Sequence, residues 1–196
     1  MIGNWLFVLA VIAVLMIPGP TNALLASSAH QQGIAKTSLF IPAELVGYLY
    51  AISLWSLFIH LSVPIWPHLI TILHFLSAGY VIWLAIRLWK LSYLERHNQR
   101  HTSIRPYQLF FATLKNPKAL LFAAGIFPME TWDSAIQCLM VYAVFCMVLI
   151  PTAMFWMAFG RAILSGESNK IRADQFFKGS ALFLVLCMLP VVIRFF

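Results

Sequence analysis

The chain has 196 residues, of which 62% are apolar, 15% aromatic and only 10% charged. A soluble domain is about 45–50% apolar and about 25% charged, and a chain of this size has too little interior to bury the difference. The composition therefore excludes an ordinary soluble fold and predicts a single all-α transmembrane domain over residues 1–196. The net charge of +7 does not indicate nucleic acid, because the basic residues lie in short gaps between apolar runs and no nucleic-acid motif accompanies them.

Apolar runs of roughly the length needed to cross a bilayer, about 17–25 residues, predict six transmembrane helices. Their approximate bounds are residues 4–29, 37–61, 67–89, 107–127, 134–160 and 179–193. The first run is interrupted at Pro18-Gly19-Pro20 and the fourth at Asn116-Pro117. We expect two halves of three spans each, at about 1–91 and about 107–196, joined by a basic cytoplasmic loop at about 92–106.

Lysine and arginine are distributed unevenly between the five segments that connect the predicted spans, which we number as connections one to five in chain order. Connections one, three and five lie on one side of the membrane, because successive spans alternate in direction. Ten of the thirteen basic residues lie on these three: Lys36, Arg87, Lys90, Arg96, Arg100, Arg105, Arg161, Lys170, Arg172 and Lys178. The positive-inside rule assigns that side to the cytoplasm, so both termini are predicted to face outward.

The two interrupted spans occupy equivalent places in the two halves. Because three is an odd number, the second half is predicted to be inverted in the membrane relative to the first, giving a 3+3 inverted repeat. In each break, a residue accepted at helix N-caps precedes a proline: Gly19 before Pro20, and Asn116 before Pro117. The sequence therefore predicts that one half-helix stops and another starts at each break.

Such breaks have a physical consequence inside lipid. A proline removes one N–H and displaces the carbonyl four residues earlier, and unsatisfied backbone groups are tolerated at this depth only where protein or water meets them. The restarted helices present N–H groups and a positive dipole end, which favour an anion. We expect both starts to face a shared cavity that accepts a solute carboxylate. The alternative for each break alone is a simple proline kink.

Two residues of opposite charge lie inside predicted spans. Glu44 is about 10 Å into the second span and Lys118 lies near the middle of the fourth. A central charge costs roughly 2.5–3.5 kcal/mol, so each needs a partner or water. We expect Glu44 to exchange protons and Lys118 to bind the negative end of a solute. The alternatives are a static role for Glu44, as a partner of Lys118 or at a helix end, and snorkelling of Lys118.

The remaining sequence patterns indicate helix packing and no catalytic or metal-binding site. Ala43, Gly47 and Ala51 recur every four residues and predict a close helix contact. The three cysteines lie far apart in apolar runs, and no cluster has metal-ligand spacing. No arrangement of a nucleophile with a base is present. We therefore expect no enzyme, no catalytic residue, no metal and no cofactor.

The residues at the two breaks resemble the signatures of a known family. Pro18-Gly19-Pro20-Thr21-Asn22 resembles the PGP-x-N signature of the LysE/RhtB family of amino-acid exporters. The segment KNPKALLF from Lys115 to Phe122 resembles that family's LNPK-x-x-x-F signature. Ala78-Gly79-Tyr80 is similar to its third-span pattern of small residues and a tyrosine. The resemblance covers essentially the whole chain in the right order.

The resemblance implies a multi-pass exporter of amino acids or small derivatives in the bacterial inner membrane, driven by proton antiport, with periplasmic termini. The partners are then the solute, protons and the lipid bilayer, and homo-oligomer formation stays open. Glu44 departs from the family pattern, where a neutral residue is expected, and Lys115 replaces a leucine. Two alternatives are a non-transporting scaffold or sensor and an intramembrane redox carrier. The predicted solute-binding residues are Pro18, Gly19, Pro20, Thr21, Asn22, Tyr80, Asn116, Pro117 and Lys118, with Glu44 for proton coupling.

Overall fold

The computed structural model describes residues 4–66, 68–69, 71–73, 75–76, 79–80, 82–83, 86, 104–132 and 134–164. All regular secondary structure within these ranges is helical, which confirms the predicted all-α class. The predicted sixth span, the fifth connection and most of the third connection lie outside the described residues. The count of six spans and the inverted repeat therefore stay predictions.

The first predicted span consists of two helices, α1 (Asn4–Met16) and α2 (Pro20–Gln32), whose axes differ by 62°. Gly19 caps α2, and Pro20 occupies its first turn, as the sequence predicts. The chain at Gly19 is extended, with φ −152° and ψ 178°. The break is therefore a helix end followed by a new helix start, and the interpretation as a simple kink is wrong for this span.

The second predicted span begins after Gly33, the C-cap of α2, whose φ of 87° favours glycine. The short helix α3 (Ile34–Thr37) and a 3₁₀ turn (Ser38–Phe40) lead into α4 (Ile41–Ser62). Pro42 lies in the first turn of α4, where the missing N–H costs no helical hydrogen bond. The segment Ile34–Ser62 is long and apolar enough to cross a membrane.

The third span is described only in part, and its described residues between 69 and 86 are helical. The fourth consists of α5 (Pro106–Leu114), the single turn α6 (Lys118–Leu121) and a π-helix (Phe122–Ile126). A 3₁₀ turn (Met129–Trp132) precedes α7 (Ala135–Leu164), which continues through Pro151. The interruption at Asn116-Pro117 is therefore present, as predicted.

Close packing joins the helices at two glycines. Helix α7 packs against α2, where a Cβ added to Gly160 would lie 2.4 Å from the Cα of Ala26. Helix α4 packs against α5, where a Cβ added to Gly47 would lie 2.8 Å from the Cβ of Thr113. The second contact lies on the small-residue face predicted for α4. The second pair places the helix that leads into the second break against α4.

The outer faces of the helices are apolar. Large side chains exposed on α4 and α7 include Leu54, Leu57, Phe58, Leu139 and Met147. In water, an apolar surface of this extent is rare unless another molecule or a lipid phase covers it. Two described helical segments, Ile34–Ser62 and Ala135–Ala162, have the length and hydropathy of membrane spans, and the bent pair α1–α2 makes a third if it is counted as one span.

Candidate functional site

The end of α1 is closed by the side chain of Asn22. The break turns the chain away from the axis of α1, so the last carbonyls of α1 lose the N–H donors that a continued helix would supply. The Asn22 amide donates instead, to the carbonyl of Leu15 at 2.9 Å and to that of Ile17 at 2.8 Å. Asn22 is buried, so these bonds satisfy groups that water does not reach. The structure therefore gives Asn22, a predicted solute ligand, a part in stabilising the break.

The second break is organised by Asn116. Its backbone N–H donates to the carbonyl of Thr113 at 2.9 Å, which is the carbonyl displaced by Pro117. Its side-chain oxygen accepts the N–H of Lys118 at 3.1 Å. Helix α6 begins at Lys118, with Pro117 at the capping position, one residue later than predicted. The expectation of free N–H groups at this start is corrected, because the Asn116 side chain binds the N–H of Lys118.

Asn116 also joins the second break to the first half of the chain. Its amide nitrogen lies 3.0 Å from the hydroxyl of Tyr48 on α4 and 3.3 Å from that of Thr21 on α2. Asn116, Thr21 and Tyr48 are all buried. A single amide thus connects three elements in an environment where each lost hydrogen bond would leave a buried polar group unsatisfied.

Lys118 reaches from the second break to the first. Its side chain is fully buried, and its ammonium donates to the carbonyl of Ile17 at the end of α1. It lies directly over Gly19, where an added Cβ would be 3.0 Å from the Lys118 Cε. The alternative that Lys118 snorkels to the membrane surface is wrong for this conformation. The two breaks face each other, as the sequence predicts, while the shared cavity between them stays a prediction.

Glu44 lies in the same buried group of side chains. It is 2% exposed, receives a hydrogen bond from Thr21 and interacts electrostatically with Lys118. Its Oε2 atom is buried and has no hydrogen-bond partner in the part of the chain that the structure describes. Lys118 therefore stabilises the carboxylate electrostatically, while its ammonium group is hydrogen-bonded to the carbonyl of Ile17. We name Thr21, Glu44, Tyr48, Asn116 and Lys118 the polar cluster.

The remaining predicted residues lie at the edge of the polar cluster or outside it. Tyr80 is half-buried, packs on Trp83 with ring centroids 5.7 Å apart, and interacts electrostatically with Tyr48. It also lines an open groove of about 490 Å³ on its own helical segment. Pro18 is buried, Pro117 is half-buried and Pro20 is exposed, so the prolines shape the breaks.

Tyr48 is the member of the polar cluster that sequence reasoning missed. It is fully buried, and its ring packs edge-on against Phe122 at 6.0 Å and Phe145 at 5.7 Å. The available signal was its position four residues after Glu44, which places both residues on one face of α4. A tyrosine on the face of a buried carboxylate needs a partner for its hydroxyl, and Asn116 supplies that partner.

The polar cluster combines one cation, one carboxylate, one amide and two hydroxyl groups inside an apolar bundle. It is closed in this conformation, because every member is at most 2% exposed. Among the described residues, no group of three His, Cys, Asp or Glu side chains could hold a metal ion. The polar cluster therefore places a positive and a negative side chain within one buried group.

Comparison with known proteins gives one weak similarity. The chain is 24% identical over 132 residues to a protein of Pseudomonas aeruginosa described as an uncharacterized membrane protein. The aligned region covers 63% of this chain and 61% of that protein's length. No family model matches the chain, and no solved structure matches it. Together with the apolar helices, the similarity identifies the chain as a membrane protein.

Proposed function

We propose that this chain is a secondary transporter that exports amino acids or small amino-acid derivatives across the bacterial inner membrane by proton antiport. It has six spans in a 3+3 inverted repeat, periplasmic termini and the architecture of the LysE/RhtB family. The solute binds in the polar cluster, between the two breaks. No cofactor takes part.

The observation that carries this proposal is the meeting of two helix breaks around buried charges. A charge at mid-depth costs roughly 2.5–3.5 kcal/mol, and ionisable residues inside membranes commonly mark the paths of solutes and ions. Discontinuous helices at the midplane are typical of secondary transporters, in which the broken ends bind the solute. Lys118 and Asn116 from one break contact Ile17, Gly19 and Thr21 at the other.

The contacts of the polar cluster also suggest how the site opens. Three hydrogen bonds join the predicted first half of the chain to the second. Lys118 bonds Ile17, and Asn116 bonds both Thr21 and Tyr48. Rocking one half against the other would separate these pairs and admit a solute. The solute carboxylate would then replace the Ile17 carbonyl as the partner of Lys118. A charged acceptor is the stronger of the two partners for an ammonium.

An export assay tests the proposal. Cells that make the protein are loaded with dipeptides, which are hydrolysed inside, and each amino acid released to the medium is measured over time. We expect faster release of at least one amino acid than from cells making Lys118→Met at equal protein level. If no amino acid or derivative leaves faster than from cells without the protein, the chain is not an exporter of this class.

The two alternatives make different predictions. A scaffold or sensor would have no use for buried charges at a break and would give no solute flux. A redox carrier would need paired thiols, but Cys138 and Cys146 are free, and neither sits in the polar cluster. Substituting both with serine leaves export unchanged in a transporter and abolishes the activity of a thiol carrier.

A further inference from the structure

Glu44 is the only acidic residue within any predicted span. The remaining Asp and Glu residues all lie in predicted connections: Glu95, Glu130, Asp133, Glu167 and Asp174. Any positively charged group that crosses the membrane through this chain therefore has a single carboxylate to meet inside the bundle. This restriction follows from the full sequence and is independent of the geometry.

One oxygen of that carboxylate is available. Thr21 donates to the carboxylate, while Oε2 is buried and has no hydrogen-bond partner among the described residues. A buried acceptor without a donor costs about 1–3 kcal/mol, and more when it is charged. Such a group in a native protein requires an explanation, and an absent ligand is one.

The surroundings of Glu44 restrict what that ligand is. Among the described residues, the titratable groups that interact with Glu44 are Lys118 on α6 and Tyr48 on the same helix. Tyr80 acts in turn on Tyr48 from another helical segment. Lys118 bonds the Ile17 carbonyl and leaves Oε2 open. A hydrogen-bond donor that enters from outside would satisfy Oε2, and a positively charged donor matches the carboxylate best.

We infer that Glu44 is the subsite for the primary ammonium group of the exported solute, with Oε2 as the acceptor. This inference rests on the proposed function and specifies its substrate class as solutes with a free amino group and a negative end. Lys118 binds the negative end, and Glu44 binds the positive end. A proton and the ammonium group then exclude each other on one carboxylate, so that each solute released leaves the site open to a proton.

The test uses the purified full-length chain in proteoliposomes with an acidic external medium. The vesicles are loaded with an equimolar mixture of the standard L-amino acids and of their N-acetyl derivatives, and efflux of every species is measured by mass spectrometry. Acetylation removes the ammonium charge and keeps the carboxylate. For at least one amino acid, we expect the wild-type protein to export the free form at least about tenfold faster, the ratio expected for one charge-assisted hydrogen bond.

Variants assign the preference to Glu44. In Glu44→Gln, the ratio of free to N-acetyl efflux is expected to fall towards one, whereas Glu44→Asp retains a preference for the free form. Glu130→Gln is the matched control, because it removes an acidic group outside the predicted spans, and we expect the wild-type ratio. Size-exclusion profiles in detergent show whether each variant is folded.

The outcomes separate the two proposals. If the wild type exports amino acids but does not distinguish the acetylated forms, or if Glu44→Gln keeps the full preference, the ammonium subsite is wrong and the transporter stands. If Glu44→Gln is unfolded, the ratio of free to N-acetyl efflux in the wild type and in Glu44→Asp still tests the ammonium subsite. If the wild type exports neither form, the proposed function fails and the inference fails with it.

Discussion

Asn116 uses its side chain to hold three elements in register. The amide nitrogen contacts Thr21 and Tyr48, while the amide oxygen accepts the N–H of Lys118. No other residue type combines two donors and an acceptor at this length from the backbone. The position is therefore sensitive to substitution in a way that burial alone does not explain.

Replacing Asn116 with alanine tests this role. We expect efflux to be abolished and stability to fall by about 1–3 kcal/mol, because buried hydroxyl and N–H groups lose their partner. Membrane insertion should be retained, since the apolar length of the spans is unchanged. Transport assays and thermal unfolding in detergent measure the two effects. Gln31→Ala, which removes an exposed amide from α2, is the control, and equal behaviour of the two variants would refute the assignment.

The second prediction at this scale concerns the two buried charges. Lys118→Met removes the cation that interacts electrostatically with Glu44, and a buried charge left without compensation destabilises a fold. Lys118→Met combined with Glu44→Gln should be more stable than Lys118→Met alone, because no uncompensated charge is left. Thermal unfolding of both variants and of Glu44→Gln completes the cycle. Strictly additive losses would show that the two charges are independent.

At the scale of elements, the fold depends on how closely neighbouring helices approach. Gly160 on α7 contacts the backbone of Ala26 on α2, and Gly47 on α4 contacts Thr113 on α5. In lipid, helix association depends on such small residues, since apolar burial gives no advantage over contact with lipid tails. These contacts hold α2 and α5 at the distances that let the breaks meet.

Gly160→Ala is expected to destabilise the protein. The new Cβ would lie 2.4 Å from the Cα of Ala26, so the helices must move apart, and overpacking costs about 1–3 kcal/mol. Gly125→Ala is the matched control, because nothing lies within 4 Å of its added Cβ. Unfolding temperatures of the two variants are compared with that of the wild type. A loss no larger than that of Gly125→Ala would mean that α2 and α7 tolerate separation.

The two helix breaks are also a property of the individual elements. Proline determines where each helix ends, because the missing N–H is a covalent property of the residue. The side chains of Asn22 and Asn116 then satisfy the carbonyls and N–H groups that the breaks expose. The start and end of each helix are thus determined by residues close in sequence, which explains why a pattern of a few residues predicts the breaks.

At the scale of the whole molecule, the distribution of charge predicts how the chain is oriented in the membrane. The apolar outer faces of α4 and α7 require lipid, and the basic residues predict which side faces the cytoplasm. Connection two is predicted to lie outside and connection three inside. The transport direction proposed for the polar cluster depends on this orientation.

Cysteine labelling tests the orientation. In a variant with Cys138, Cys146 and Cys187 replaced by serine, single cysteines are introduced as Ile65→Cys in connection two and Gln99→Cys in connection three. We expect a membrane-impermeant maleimide to label Ile65→Cys in intact cells and Gln99→Cys only after the membrane is opened. Ile65 is 85% exposed, so its labelling is not limited by burial. The reverse pattern would invert the predicted topology.

The sequence by itself determined that the helices lie in lipid, that the fold is helical, and that the breaks fall at Pro18-Gly19-Pro20 and Asn116-Pro117. These properties follow from composition and from the covalent chemistry of proline, which act locally. The tertiary structure alone decided that Lys118 bonds the Ile17 carbonyl, that Tyr48 joins the polar cluster and that one oxygen of Glu44 stays open. Those contacts join residues far apart in the chain, so they depend on how helices pack and cannot be derived from any local pattern.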